Sequence, residues 1–195
     1  MATFKMYTRA TADVVTPSDE NVDSATWAFK TIDYAHHEIH GGNHYNVRRY
    51  KDQTIDHVYD IQITTPNTTK WSHFTYEFET ENETLWHFYR NPTIVLAGTA
   101  VTPVNSDHNS TNTAALVVKL ITNTTLADAN LDTTVAAATL IAEGISGSGK
   151  KESGIASSRD EAILKQNEDY CLRFIATAAG YVNFHLDWYE HTNKE

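Results

Sequence analysis

The chain has 195 residues, 41% of them apolar and 11% aromatic, which suffices for one domain-sized core. Its single cysteine, Cys171, excludes an intrachain disulfide and suits maturation in a reducing cytoplasm. A net charge of −10, with basic residues scattered as pairs such as Arg48-Arg49 and Lys150-Lys151, argues against nucleic acid, which needs a basic stripe to displace counterions.

No stretch approaches the roughly 18 consecutive apolar residues of a membrane span. The first residues carry no apolar run of signal-peptide length, so no membrane partner is expected. The Asn-x-Ser/Thr sequons at Asn67, Asn82, Asn109 and Asn123 then read as by-products of Thr- and Asn-rich loops.

Residues 1–24 read as an N-terminal arm or extended segment, irregular over Thr11–Ser24, and 25–195 as one domain without linker or repeat. Thr26–Tyr34 is the first candidate strand. In His36-His37-Glu38-Ile39-His40-Gly41-Gly42-Asn43-His44, a helix would align His36, His40 and His44 for zinc. Gly41-Gly42 interrupts that helix, and H-E-x-x-H is absent. The segment is therefore expected to be a polar strand end and turn without metal, with pH sensitivity a secondary role for the chain's 10 histidines.

Downstream, alternation at period two marks half-buried strands. Tyr45–Tyr50 is one. Tyr59, Ile61 and Ile63 alternate with Val58, Asp60 and Gln62 and stop at Thr65-Pro66-Asn67; Phe74, Tyr76 and Phe78 alternate with His73, Thr75 and Glu77. Leu85–Tyr89, Thr93–Ala97 and Ala115–Thr122 follow. The polar stretch Thr99–Asn112 reads as a long loop, of the kind that carries binding surface. Ala127–Ala142 is alanine-rich, but Thr133-Thr134-Val135 weakens a helix and favours a strand over Thr134–Ala142.

Gly144-Ile145-Ser146-Gly147-Ser148-Gly149-Lys150-Lys151 nearly matches a phosphate-binding loop. Lys151 stands where a magnesium-holding hydroxyl is needed, and Gly154 and Ser157-Ser158 break the helix that should follow. A flexible loop over Ser146–Ser158 is expected instead. Arg159–Asn167 could form one or two helical turns, with Ala162–Lys165 a competing strand. Tyr170–Ile175 and Tyr181–Tyr189, joined at Ala178-Ala179-Gly180, read as a C-terminal hairpin. The expected core is Phe74, Tyr76, Phe78, Leu120, Leu172, Phe174, Phe184 and Leu186.

Catalytic patterns are weak. Cys171 lies inside a strand, where a buried thiol is inert, and no serine occupies a G-x-S-x-G elbow. Asp187 and Glu190 read as solvent-facing residues rather than a glycosidase pair. No enzyme, catalytic residue, cofactor or metal is expected. Trp71, Trp86, Tyr89, Trp188 and Tyr189 exceed what one inward face absorbs easily. Trp86 and Trp188 go to the core, leaving Trp71 and Tyr189, with Asp107, His108 and Asn109 of the long loop, as candidate interface residues.

Short strands about ten residues apart indicate an all-β antiparallel sandwich or barrel. Ile63-Thr64-Thr65-Pro66-Asn67-Thr68-Thr69-Lys70-Trp71-Ser72-His73 resembles a segment of tailed-bacteriophage virion proteins encoded near the capsid gene. So do Gly147-Ser148-Gly149-Lys150, Ile163-Leu164-Lys165-Gln166-Asn167 with Tyr170-Cys171-Leu172-Arg173, and Asp187-Trp188-Tyr189-Glu190-His191-Thr192-Asn193-Lys194. The resemblance covers roughly Ala35 to the C-terminus. It implies a head decoration (cement) or head-fibre protein with a jelly-roll-like sandwich of about eight strands. It also implies a homotrimer bound through the major capsid protein to the capsid exterior of a virion, after synthesis in a bacterial cytoplasm. The alternative is a receptor- or glycan-binding module of a tail or fibre.

Overall fold

The computed structural model describes residues 6–7, 14–15, 34–125, 138–147, 154–157 and 161–192. The chain divides into two compact units, Met1–His37 and Glu38–Glu195. In the first, β1 (Met6–Tyr7) pairs antiparallel with β2 (Val14–Val15); the rest of the expected arm and most of Thr26–Tyr34 lie outside the described residues.

The second unit is an antiparallel β-sandwich. Its strands are β3 (His44–Gln53), β4 (His57–Thr64), β5 (Lys70–Thr80), β6 (Thr84–Arg90), β7 (Thr99–Val101), β8 (Val104–Asn105), β9 (Val117–Thr125), β10 (Thr139–Ser146), β11 (Gly154–Ser157), β12 (Ala162–Leu164), β13 (Asp169–Ala176) and β14 (Gly180–Thr192). One sheet runs β10-β6-β13-β4-β9-β7; the other runs β11-β5-β14-β3-β8, with β12 also on β5. Stripped of β7, β8 and β9, the sheets are β3-β14-β5-β11/β12 and β4-β13-β6-β10. That is the strand order of an eight-stranded jelly roll with an excursion between its fourth and fifth strands.

Jelly-roll order explains the largest departure from expectation. The strands read as a C-terminal hairpin do not pair. β13 lies between β4 and β6 in one sheet, and β14 between β3 and β5 in the other. Both strands present aromatic and branched residues inward, so facing one another across the core buries both sets, whereas side-by-side pairing would put them on one surface. The crossing over Thr177–Ala179 is fastened to the neighbouring crossing from β5 to β6. Thr177 N and Oγ1 donate to Glu83 O, and Asn82 Nδ2 donates to Ala179 O at 2.5 Å.

Inward residues meet between the sheets. Phe78 packs edge-on against Phe174 with centroids 4.8 Å apart, Tyr59 meets Phe184 at 6.0 Å and Phe74 meets Phe88 at 6.3 Å. Val182, Phe184, Leu186 and Trp188 are essentially buried. Of the expected core, Tyr76 and Leu120 are partly buried and pack against it, as does Trp86; the others are buried.

Local corrections have local causes. His36–His40 lies in a helix, α1 (Tyr34–His40), rather than a strand end. Asn43 N donates to Glu38 O and Gly42 N to Ile39 O, and Gly42 at φ 67° is the left-handed residue that closes such a helix. Residues 162–164 are strand, not helix, because β5 offers them an edge. Thr93–Ala97 holds only a single bridge residue, Ile94, and no extended strand; the excursion pairs further at β7, and the expected loop Thr99–Asn112 contains β7 and β8. The Thr134–Ala142 candidate is seen as β10, which starts at Thr139. Most of Ala127–Ala142 and of the Ser146–Ser158 loop, with Lys150 and Lys151, lies outside the described residues.

Phe184 is 1% exposed and touches the opposite sheet. Phe184→Ala should cost about 3–5 kcal/mol in chemical denaturation; a loss below about 1 kcal/mol would mean that the residue does not face the core.

Candidate interaction surfaces

Outward residues of β3, β14 and β5 form a polar face read directly from the register. Across it run the rows Tyr50–Asn183–Glu79, Arg48–His185–Glu77, Asn46–Asp187–Thr75 and His44–Tyr189–His73. His191 continues the face beside Trp71.

Two groups of close polar contacts organise it. In the first, His44 Nε2 and His185 Nε2 approach the two carboxylate oxygens of Asp187 at 3.0 and 3.3 Å, while His44 Nδ1 lies 2.7 Å from Ser106 Oγ. Burial pushes the Asp187 carboxyl up, but the two imidazoles outweigh it and hold the group at about 2. In the second, His73 Nδ1 contacts Glu161, Tyr189 OH donates to Glu161 Oε2 at 2.7 Å, and His73 Nε2 lies 2.7 Å from His191 Nε2. His191 Nδ1 is 2.9 Å from Thr192 O.

Tyr189 was expected to be an exposed interface aromatic, yet it is only 7% exposed. Its ring stacks on His73 at 4.5 Å and lies 5.7 Å from His191, so it orders the histidines rather than meeting solvent. Trp71 is half-buried in the next row, opposite His191. Asp187 and Glu190 also depart from the expected solvent-facing pair. Glu190 is 1% exposed: its carboxylate accepts from Ala115 N and Leu116 N at 2.9–3.0 Å and from Trp188 Nε1 at 3.1 Å.

That carboxylate anchors the returning end of the excursion. The outgoing end crosses the outer face of β4, where Gln62 Nε2 donates to Leu96 O and Gly98 N donates to Gln62 Oε1. At the tip, Asp107 N donates to Asn105 Oδ1, Asn109 N to Asp107 Oδ1, and Asn112 N to Ser110 Oγ, a succession of side-chain-closed turns. Asn105 and Asn112 side-chain amides donate to Gly42 O. A Cβ at Gly42 would stand 2.2 Å from Ser110 Oγ, so the glycine admits the loop. His108 and Asn109 are exposed and Asp107 is half-buried; the loop is distant in sequence from Trp71 and Tyr189, but it starts beside Ser106, which bonds to His44, the cross-strand partner of Tyr189.

The outer face of the other sheet carries a charged row, Glu143–His87–Arg173–Asp60, one residue from each of β10, β6, β13 and β4. Arg173 Nε and Nη2 donate to the two oxygens of fully buried Asp60 at 2.8 and 2.9 Å. Burial raises the Asp60 carboxyl, against the pull of Arg173, and burial likewise pushes the Cys171 thiol up, as expected for an inert thiol. Flanking this row, Leu140, Ile141 and Ile145 of β10 are 40–61% exposed, and Val95 and Leu96 of the excursion 51–68%. Among the described residues, no three His, Cys, Asp or Glu side chains form a metal-ligand group. None of the described helices is long and apolar enough to cross a membrane.

No protein-family model, curated protein or solved structure matches the chain.

Sequence alternation places Asp187 and Tyr189 on one face with His185, but it shows neither that His73 joins them from 116 residues away nor that Glu161 arrives 88 residues away from His73. Glu190 breaks the alternation of its strand, and nothing local reveals its partners at Ala115 and Leu116.

Two outcomes follow from these groups. Asp187 is depressed from its ordinary 3.8, so its ionised form stabilises the fold above that value, and the contribution is lost as pH falls towards about 2. Asp187→Asn should therefore flatten the stability loss between those two values in acid titration of thermal unfolding; an unchanged slope would contradict it. Glu190→Ala strands three donors, at about 1–3 kcal/mol each where buried. It should destabilise by roughly 3 kcal/mol or more and speed hydrogen exchange at Ala115 and Leu116, and normal protection there would show that the anchor is dispensable.

Proposed function

We propose that this is a non-enzymatic decoration protein of a tailed-bacteriophage head, bound to the outside of the shell and to copies of itself as a homotrimer. The observation that carries the proposal is apolar side chains left in solvent beside a well-filled core. Ile145, Ile141, Leu140, Val95 and Leu96 are 40–68% exposed on β10 and the excursion. The three on β10 lie together along one edge strand, and aliphatic side chains grouped in this way suit a protein interface. β10 is also the edge of its sheet among the described residues, and its unpaired backbone edge can be covered by a neighbouring copy. Closed cyclic symmetry satisfies such surfaces with identical subunits, and threefold positions of a shell suit a trimer.

The excursion supplies a second contact element. Its tip is polar and held in shape by its own turns, and its returning end is held by Glu190, so it is preorganised, which lowers the ordering cost of binding. Many such weak contacts repeated over a shell bind through avidity. The resemblance of Ile63–His73 and Asp187–Lys194 to virion proteins supports placing the partner on a phage head, with the major capsid protein as the surface met.

The test is to locate and count the chain on purified particles and to measure its mass in solution. Many copies on filled heads and a trimeric mass are expected, with Ile145→Asp lowering both. A stable monomer absent from heads, or a few copies confined to the tail, would overturn the proposal.

A further inference from the structure

Towards the end of the β3–β14–β5 face opposite the Tyr189 group lies a shallow hollow of about 490 Å³, lined by Arg48, Glu77, Glu79, Asn183 and His185. We propose that it is a binding site for a neutral oligosaccharide, independent of whether the protein decorates heads.

The polar groups are placed to serve a ligand rather than one another. Arg48 on β3 and Glu77 on β5 occupy one row with His185 of β14 between them. Two strand spacings, roughly 10 Å, separate their backbones. Asn183 similarly stands between Tyr50 and Glu79 in the next row. Among the described residues, the side chains of Arg48, Glu77, Glu79 and Asn183 have no hydrogen-bond or ion-pair partner within the chain, in contrast to His44, His73 and Tyr189 farther along the same face, each of which contacts a carboxylate. Guanidinium donors on one rim and carboxylate acceptors on the other bracket a gap that a sugar ring with its hydroxyls can bridge. Each hydroxyl both donates and accepts, so it satisfies either rim.

Tyr50 completes the site. It is 72% exposed, belongs to the same outward face two residues beyond Arg48, and stands opposite Asn183. An exposed phenol ring beside a polar hollow gives the C–H face of a pyranose a surface to stack on. Tyr181, 37% exposed, follows on the same side of β14. The charge selects among ligands: two carboxylates against one guanidinium repel phosphate and uronic acids, while uncharged hydroxyl groups meet no penalty.

The proposal is tested by affinity electrophoresis of the full chain through gels containing dextran, mannan, soluble starch or polygalacturonate, and by titration with N-acetylglucosamine oligomers. At least one neutral glycan should bind the native protein, and polygalacturonate should not. Tyr50→Ala should weaken that binding roughly tenfold, and Glu77→Gln should weaken it as well, whereas Asn109→Ala on the excursion should leave it unchanged. Tyr50 is exposed, so its variant should keep the native melting temperature, and a matched melt confirms that lost binding is not lost folding. Absence of binding to every neutral glycan, binding only to polygalacturonate, or affinity unchanged in both hollow variants would overturn the assignment.

Discussion

Aromatic packing between the two sheets is the constraint on which the rest of the molecule depends. Phe78 against Phe174, Tyr59 against Phe184 and Phe74 against Phe88 each join a strand of one sheet to a strand of the other. Consecutive strands bury their inward residues most completely when the chain changes sheet at each turn. It does so from β3 through β6 and again from β13 to β14. The crossings are then left with unpaired backbone groups, and they satisfy these by bonding to each other. Thr65 at one end illustrates this: its hydroxyl donates to Lys165 O and accepts from Glu168 N. Arg90 and Lys165 fix Glu168 beside it and hold that carboxyl at about 2.

With the core fixed, the two outer faces are free to differ. One is covered in part by the excursion and contains a buried Asp60–Arg173 pair. Such a pair adds little net stability, because desolvation of both charges offsets their attraction, but removing one partner leaves an uncompensated charge. Its value here is positional: Arg173 and Asp60 are adjacent only in the β13–β4 register observed. A shift of one residue would place Arg173 against a core residue, so the pair penalises slipped registers. The other face is divided between ordered histidine–carboxylate groups and a hollow whose polar groups remain open. A rigid end supporting an open end is the arrangement expected of a binding surface built on strands rather than loops.

Much of the fold was legible because strands record their own faces. Val182, Phe184, Leu186 and Trp188 announce an inward side that the structure keeps without exception. What the sequence does not carry is which strand lies beside which. The short connection at Ala178–Gly180 fits a hairpin as well as a crossing, and only the competition among all inward faces decides between them. The interaction surfaces were less legible for the same reason. Tyr189 reads as a surplus aromatic when it is seen alone, and as the centre of a stack once His73 is brought opposite it from 116 residues away. Tyr50 drew no notice beyond its strand, since its importance depends on Asn183 and Glu79, which the register supplies. The helix at Tyr34–His40 was missed because its histidines suggested ligands and its two glycines a turn; they are the turn, but one that ends a helix.

The arrangement of β13 is the most direct point at which to test this account. Backbone NMR of the isotopically labelled chain can report which strands flank it through cross-strand contacts and hydrogen-bond couplings. Leu172 should lie between Ile61 and Phe88, and Arg173 between Asp60 and His87, with no ladder contacts from β13 to β14. A ladder joining Tyr170–Ile175 to Tyr181–Tyr189 would restore the hairpin and contradict the sandwich, its crossings and both outer faces together.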